Sequence, residues 1–96
     1  MNMRTKKDIK DIAKLLRTAG DIGRLNILCI IFDKKDICVS DIAKQLGLSV
    51  AITSHHLKVM AKTGLLISNR SGKKICYELP KTPFVRDLKG FICKYK

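Results

Sequence analysis

The chain has 96 residues, 46% of them hydrophobic, with 20 Lys plus Arg against 8 Asp plus Glu and a formal net charge of +12. That length holds one small domain and excludes two independent cores, while the apolar content excludes a disordered tail. So large a positive charge points to a polyanionic partner, nucleic acid first, with a basic surface kept only for solubility as the plainer alternative.

Residues 7–19 read as an amphipathic helix, because Ile9, Ile12, Ala13, Leu16 and Ala19 recur at three- and four-residue steps between Lys and Asp. Gly20 ends it, and Asp21 is placed to cap a second helix over residues 22–32. That helix is apolar on nearly every side and marks the centre of the core. Asp33-Lys34-Lys35-Asp36 reads as a charged turn and Ile37-Cys38-Val39 as a short strand. A third helix over 39–46, a break at Gly47-Leu48-Ser49 and a fourth helix to about residue 63, capped by Ser49 and stopped by Gly64, make a helix-turn-helix over 39–63. Residues 65–70 and 74–79 are β-prone runs around Ser71-Gly72-Lys73, a hairpin signal. Pro80 and Pro83 lead into a last helix over 84–95, with Phe84, Leu88, Phe91 and Tyr95 along one side. Four helices, a β-hairpin wing over 65–79 and a fifth helix predict a mainly α, winged helix-turn-helix domain spanning residues 1–96.

The basic start MNMRTKKDIK is not followed by the apolar stretch of a signal peptide. The longest apolar run, residues 27–32, is too short to span a bilayer, so the expected location is the cytoplasm. Cys29, Cys38, Cys76 and Cys93 form no CxxC pair, and in a reducing compartment all four are expected as free thiols. No Ser/His/Asp set, phosphate loop or paired carboxylates stand out, so neither an enzyme nor a cofactor is expected.

In the fourth helix, a turn of about 100° per residue separates two faces. Ile52, Thr53, His56, Val59 and Met60 fall on the inward one, with Leu57 at its edge. Ala51, Ser54, His55, Lys58 and Lys62 fall on the other and, with Ser49 and Val50 at the helix start, form the candidate DNA face. Ser54 and His55 suit base edges, while Lys58 and Lys62 suit phosphates. His55 is either a DNA contact or merely exposed; His56 is expected packed and hydrogen-bonded. A metal site from the two adjacent histidines is disfavoured, since neighbouring helical residues point apart. Arg70, Lys73 and Lys74 around the Ser-Gly tip complete the expected contacts to the DNA backbone.

The stretch ICVSDIAKQLGLSVAITSHHLKVMAKTGLL, followed by SNRSGKKICYEL, resembles the ArsR/SmtB group of bacterial repressors over about residues 20–79. The resemblance implies a homodimer joined through its first and last helices, residues 7–19 and 84–95, that binds a palindromic double-stranded operator and releases it on a chemical signal. Asp21-Ile22-Gly23 departs from the family, many of whose members have a Pro there. The family's Cys-Val-Cys metal sequence is Cys38-Val39-Ser40 here, lacking the second thiolate that soft metals favour, and the last helix offers only Asp87 for the family's other metal site.

RLNILC and LKGFICKYK instead look like the BigR/SqrR-type branch of persulfide sensors, with Cys29 and Cys93 as the matching thiols. That resemblance implies reactive sulfur as the inducer: a thiolate takes up a sulfane sulfur, and the second thiol resolves it into a disulfide or polysulfide bridge. Taken alone, Cys29 is as compatible with an inert buried filler. Cys38 is expected to be structural or vestigial, and Cys76 a packing residue or, if exposed, a bystander thiol. The rival readings are a metal or metalloid sensor with a non-standard thiol site that includes Cys38, and a constitutive architectural DNA binder with no sensor.

Overall fold

In the computed structural model, which describes residues 6–34 and 37–96, α1 (Lys6–Ala19) and α2 (Ile22–Asp33) meet at a corner set by Asp21. Its carboxylate accepts the Arg24 backbone N–H at 3.0 Å and caps α2, while Arg24 Nε donates to the Thr18 carbonyl at 2.7 Å. That backbone hydrogen bond, aided by the charge of Arg24 and by His56, holds the Asp21 carboxyl below its ordinary titration range. The helix therefore starts cleanly on an aspartate cap without the family's Pro.

α2 is the core helix: Ile27 and Leu28 are wholly buried and Ile31 nearly so. Asp33 closes it and Lys34 caps it, while Lys35 and Asp36 of the expected charged turn lie outside the described residues. β1 (Ile37–Cys38) follows, and Val39, expected in the strand, already opens α3 (Val39–Leu46). α3 ends on Gly47, whose φ of 68° lets its N–H and that of Leu48 turn back onto the carbonyls of the last helical turn. That left-handed residue is strained for any side chain with a Cβ, and it aims the chain into α4 (Val50–Thr63). Ser49 caps α4 by accepting the Ile52 N–H at 3.1 Å.

The wing is β2 (Ile67–Ser71) and β3 (Lys74–Glu78), joined by a two-residue turn at Gly72-Lys73 in which Gly72 has φ 63°. The sheet is antiparallel in the order β1-β3-β2, with Ile37 opposite Tyr77 and Cys38 opposite Cys76. Leu65 and Leu66, expected to begin the first wing strand, instead precede it and are buried, which roots the hairpin in the core. Burial also raises the Tyr77 phenol above its usual titration range. α5 (Pro83–Tyr95) begins with Thr82 accepting the Val85 N–H at 3.3 Å and Pro83 in its first turn, where a missing N–H costs nothing.

Both apolar stripes turn out to be divided between the core and the outside. On α1, Ile9, Ile12 and Leu16 are exposed, while Ala19 of the same stripe meets the core with Leu15 and the buried Thr18. On α5, Phe84, Val85, Leu88 and Ile92 meet the core, while Phe91 and Tyr95 are exposed and stack on each other with ring centroids 5.1 Å apart. Each helix is apolar over more of its circumference than one small core can cover, so periodicity gave the stripes but not which part of each turns inward. Among the described residues, no helix is long and apolar enough to cross a membrane.

Candidate functional site

α4 carries one exposed row along its length. Ala51, His55, Lys58 and Lys62 are all exposed, and their four-, three- and four-residue steps align them down one side. The opposite side is locked into the core by Thr53, Leu57 and Met60, each wholly buried. Leu57, expected at the edge of the inward face, lies at its centre. Ile52, expected inward, is 52% exposed and, with Val50, gives the start of the helix an apolar exposed pair. Exposed apolar groups suit contact with thymine methyls in general, whereas the helical wheel assigns Ile52 to the core. Ser54 is half-buried, and Ser49 is exposed with its hydroxyl committed to the helix cap.

The wing adds its cations around a turn that is open to solvent. Every residue of β2 is exposed, and Arg70 on β2, Lys73 in the turn and Lys74 at the start of β3 are exposed together at the tip. The turn of two residues keeps these charges close together. The rows on α4 and the wing therefore present positive charge and hydrogen-bonding groups from two elements, the arrangement needed to meet base edges and flanking phosphates.

His55 and His56 are not equivalent. His55 is exposed, whereas His56 is half-buried, and the two tilted rings have centroids 6.2 Å apart. A Cβ on Gly23 would lie 3.3 Å from His56 Nε2 and 3.2 Å from Asp21 Oδ2, so the glycine opens a place where the α4 imidazole packs on the α2 cap. The packing expected of His56 is present. The hydrogen bond expected at its ring is missing from the buried Nδ1, which has no partner among the described residues.

The cysteines divide into two kinds. Cys29 on α2 is a half-buried free thiol, and Cys93 on α5 is an exposed one. Cys38 and Cys76 are joined in a disulfide, which corrects the expectation of four free thiols and of Cys76 as simple packing. The two lie 38 positions apart, and only the pairing of β1 with β3 brings them together. With its sulfur in that bond, Cys38 offers no thiolate to a metal in this state, and among the described residues no three His, Cys, Asp or Glu side chains gather as a metal site.

The profile of the bacterial regulatory protein arsR family matches residues 21–68. The cadmium resistance transcriptional regulatory protein CadC of Listeria innocua is 32% identical over 82 residues, which span 85% of this chain and 64% of that regulator's length. Among solved structures, HlyU from Vibrio cholerae superposes with a TM-score of 0.85 at 23% identity, covering 95% of this chain and 97% of HlyU. The transcriptional repressor BigR from Xylella fastidiosa superposes with a TM-score of 0.74 at 24% identity, covering 95% and 92% of the two chains. At those identities the two structures establish the winged helix-turn-helix fold.

Proposed function

Because the chain belongs to the arsR family of bacterial regulatory proteins, we propose that it is a homodimeric, DNA-binding transcriptional repressor whose Cys29 and Cys93 respond to reactive sulfur. The observation that carries the DNA half is the Ala51-His55-Lys58-Lys62 row beside the exposed Arg70, Lys73 and Lys74 of the wing. In this reading α4 lies in the major groove, with Val50, Ala51, Ser54 and His55 toward the bases and Lys58 and Lys62 toward phosphates. The exposed apolar residues of α1 and α5 meet their counterparts on a second copy, which sets the two α4 helices about one duplex turn apart, roughly 34 Å.

The sulfur half is supported by the two free thiols, one on α2 and one on α5, and by the likeness of RLNILC and LKGFICKYK to the persulfide-responsive branch. A thiolate attacks a sulfane sulfur and takes it up as a persulfide while the donor's leaving thiolate departs. Attack of the second thiol on the inner sulfur of that persulfide then forms the disulfide and releases hydrosulfide. A link between α2 and α5 ties the core helix to a helix of the dimer surface. It acts on DNA only through a different stability of the operator-competent and released states.

The test treats reduced protein with an organic persulfide and follows mass and duplex binding together. Wild type is expected to gain sulfur or a Cys29–Cys93 link and to let go of DNA; Cys29→Ser is expected to keep its DNA under the same treatment. Release by Cys29→Ser refutes the sulfur reading. Release by stoichiometric cadmium or arsenite without thiol oxidation favours the metal-sensing rival, and indifference of the wild type favours the constitutive one. The DNA face has a separate test in Lys62→Ala, which removes one phosphate contact per protomer and two per dimer. Its log–log salt slope is expected to be shallower by about 1.8, with weaker binding to every sequence alike. An unchanged slope removes Lys62 from the interface.

A further inference from the structure

A cross-strand cysteine pair joins the helix-turn-helix to the wing. Cys38 and Cys76 face each other on β1 and β3 with Cα atoms 4.0 Å apart and their sulfurs bonded. β1 is two residues long, so among the described residues this pair is one of two by which it holds β3, the other being Ile37 with Tyr77. Cys38 is also the N-cap of α3, and its side chain makes no capping hydrogen bond there. From Cys38 the chain runs through α3 into α4; from Cys76 it runs back along β3 to Lys74, Lys73 and the Gly72 turn. A covalent link at this point fixes the wing cations relative to the exposed row of α4.

We propose that Cys38 and Cys76 are a second dithiol site, independent of Cys29 and Cys93, which low-molecular-weight disulfides oxidise to clamp the wing in its DNA-binding position. The half-buried Cys38 is the accessible partner, and its thiolate attacks one sulfur of the small disulfide RSSR. A mixed disulfide forms and one RS⁻ leaves. Cys76, 8% exposed and directly opposite, then loses its proton and attacks the Cys38 sulfur, which forms the cross-strand bond and expels the second RS⁻. In sum, two protein thiols give up two electrons and two protons, and one RSSR becomes two RSH. Excess thiol reverses both steps. With the wing ordered in advance, less conformational freedom is lost when DNA binds, so the bonded form binds more tightly.

The test uses the full chain carrying Cys29→Ser and Cys93→Ser, so that only the strand pair titrates, with random-sequence duplex DNA as the probe. Samples are equilibrated in reduced or in oxidised glutathione. In the oxidised buffer, mass spectrometry is expected to find the peptides of residues 38 and 76 linked, and duplex affinity is expected to rise about fivefold or more. Adding Cys38→Ser or, separately, Cys76→Ser is expected to make binding the same in both buffers. The proposal is overturned if the thiols stay reduced in oxidised glutathione, if the link forms with no change in affinity, or if the buffer effect persists in Cys38→Ser. It rests on the duplex-binding reading above. A chain that binds no duplex in either buffer overturns both readings, whereas unchanged affinity in a chain that does bind overturns the clamp alone.

Discussion

Replacing Leu16 and Phe91 together by aspartate is expected to give a folded monomer whose duplex affinity is at least about a hundredfold weaker, the loss expected when two linked binding heads become one. The two side chains are 53% and 63% exposed in the single chain and, with Phe84, Asp87 and Leu88, line a hollow of about 300 Å³ between α1 and α5. Ile9 and Ile12 extend the same apolar surface along α1. Because neither Leu16 nor Phe91 supports the core, polar replacements cost the fold little, about 0.5 kcal/mol or less each for ordinary surface positions. At an interface, the four carboxylates of a dimer would lose water and meet apolar partners, which costs several kcal/mol and disfavours association. Sedimentation gives the oligomeric state, circular dichroism the fold, and anisotropy the affinity. A variant that remains dimeric places the interface elsewhere; a folded monomer with undiminished affinity ends the two-headed reading.

Leu57→Ala is the substitution expected to damage the fold most directly, by about 3 kcal/mol. Leu57 is wholly buried on the inward side of α4, between the equally buried Thr53 and Met60. Truncation there leaves a cavity where α4 meets the core, and the backbone of a capped helix cannot collapse to fill it. Against a total stability of about 5–15 kcal/mol for a domain of this kind, the loss is large, and it corresponds to a fall of roughly 12–24 °C in midpoint temperature. Lys58→Ala, one position along the same helix but exposed, is the control. Its midpoint is expected to stay close to wild type while its duplex affinity falls. Thermal melts at fixed protein concentration compare the two, since dimerisation makes the midpoint concentration-dependent. Equal midpoints for Leu57→Ala and wild type contradict the burial assigned to this side chain.

Both variants bear on α4, where the sequence was most legible and also misleading at one point. Ser49 before the helix and Gly64 after it are local signals, each satisfied by nearby backbone, so the boundaries followed from neighbouring residues. The basic outward row was legible for the same reason, since charged side chains have no stable place in a small core. Ile52 broke the rule that apolar means inward, because a turn of about 100° from the wholly buried Thr53 carries it off the face that Thr53 and Leu57 present to the core. Hydrophobicity alone cannot separate a core residue from an apolar residue kept for a partner.

The sequence by itself determined the order of elements, the aspartate and serine caps, the left-handed glycine turn of the helix-turn-helix and the basic wing, since each depends on residues within a turn or two of one another. Tertiary structure decided what depends on distant partners. It turned Ile9, Ile12, Leu16, Phe91 and Tyr95 outward, because the core was already filled from the other sides of α1 and α5. It also joined Cys38 to Cys76 across a strand of two residues, too short to announce its pairing in the sequence. Cys29 and Cys93 were legible as a pair only by resemblance to a family; in the fold they are two free thiols on separate helices, one half-buried and one exposed.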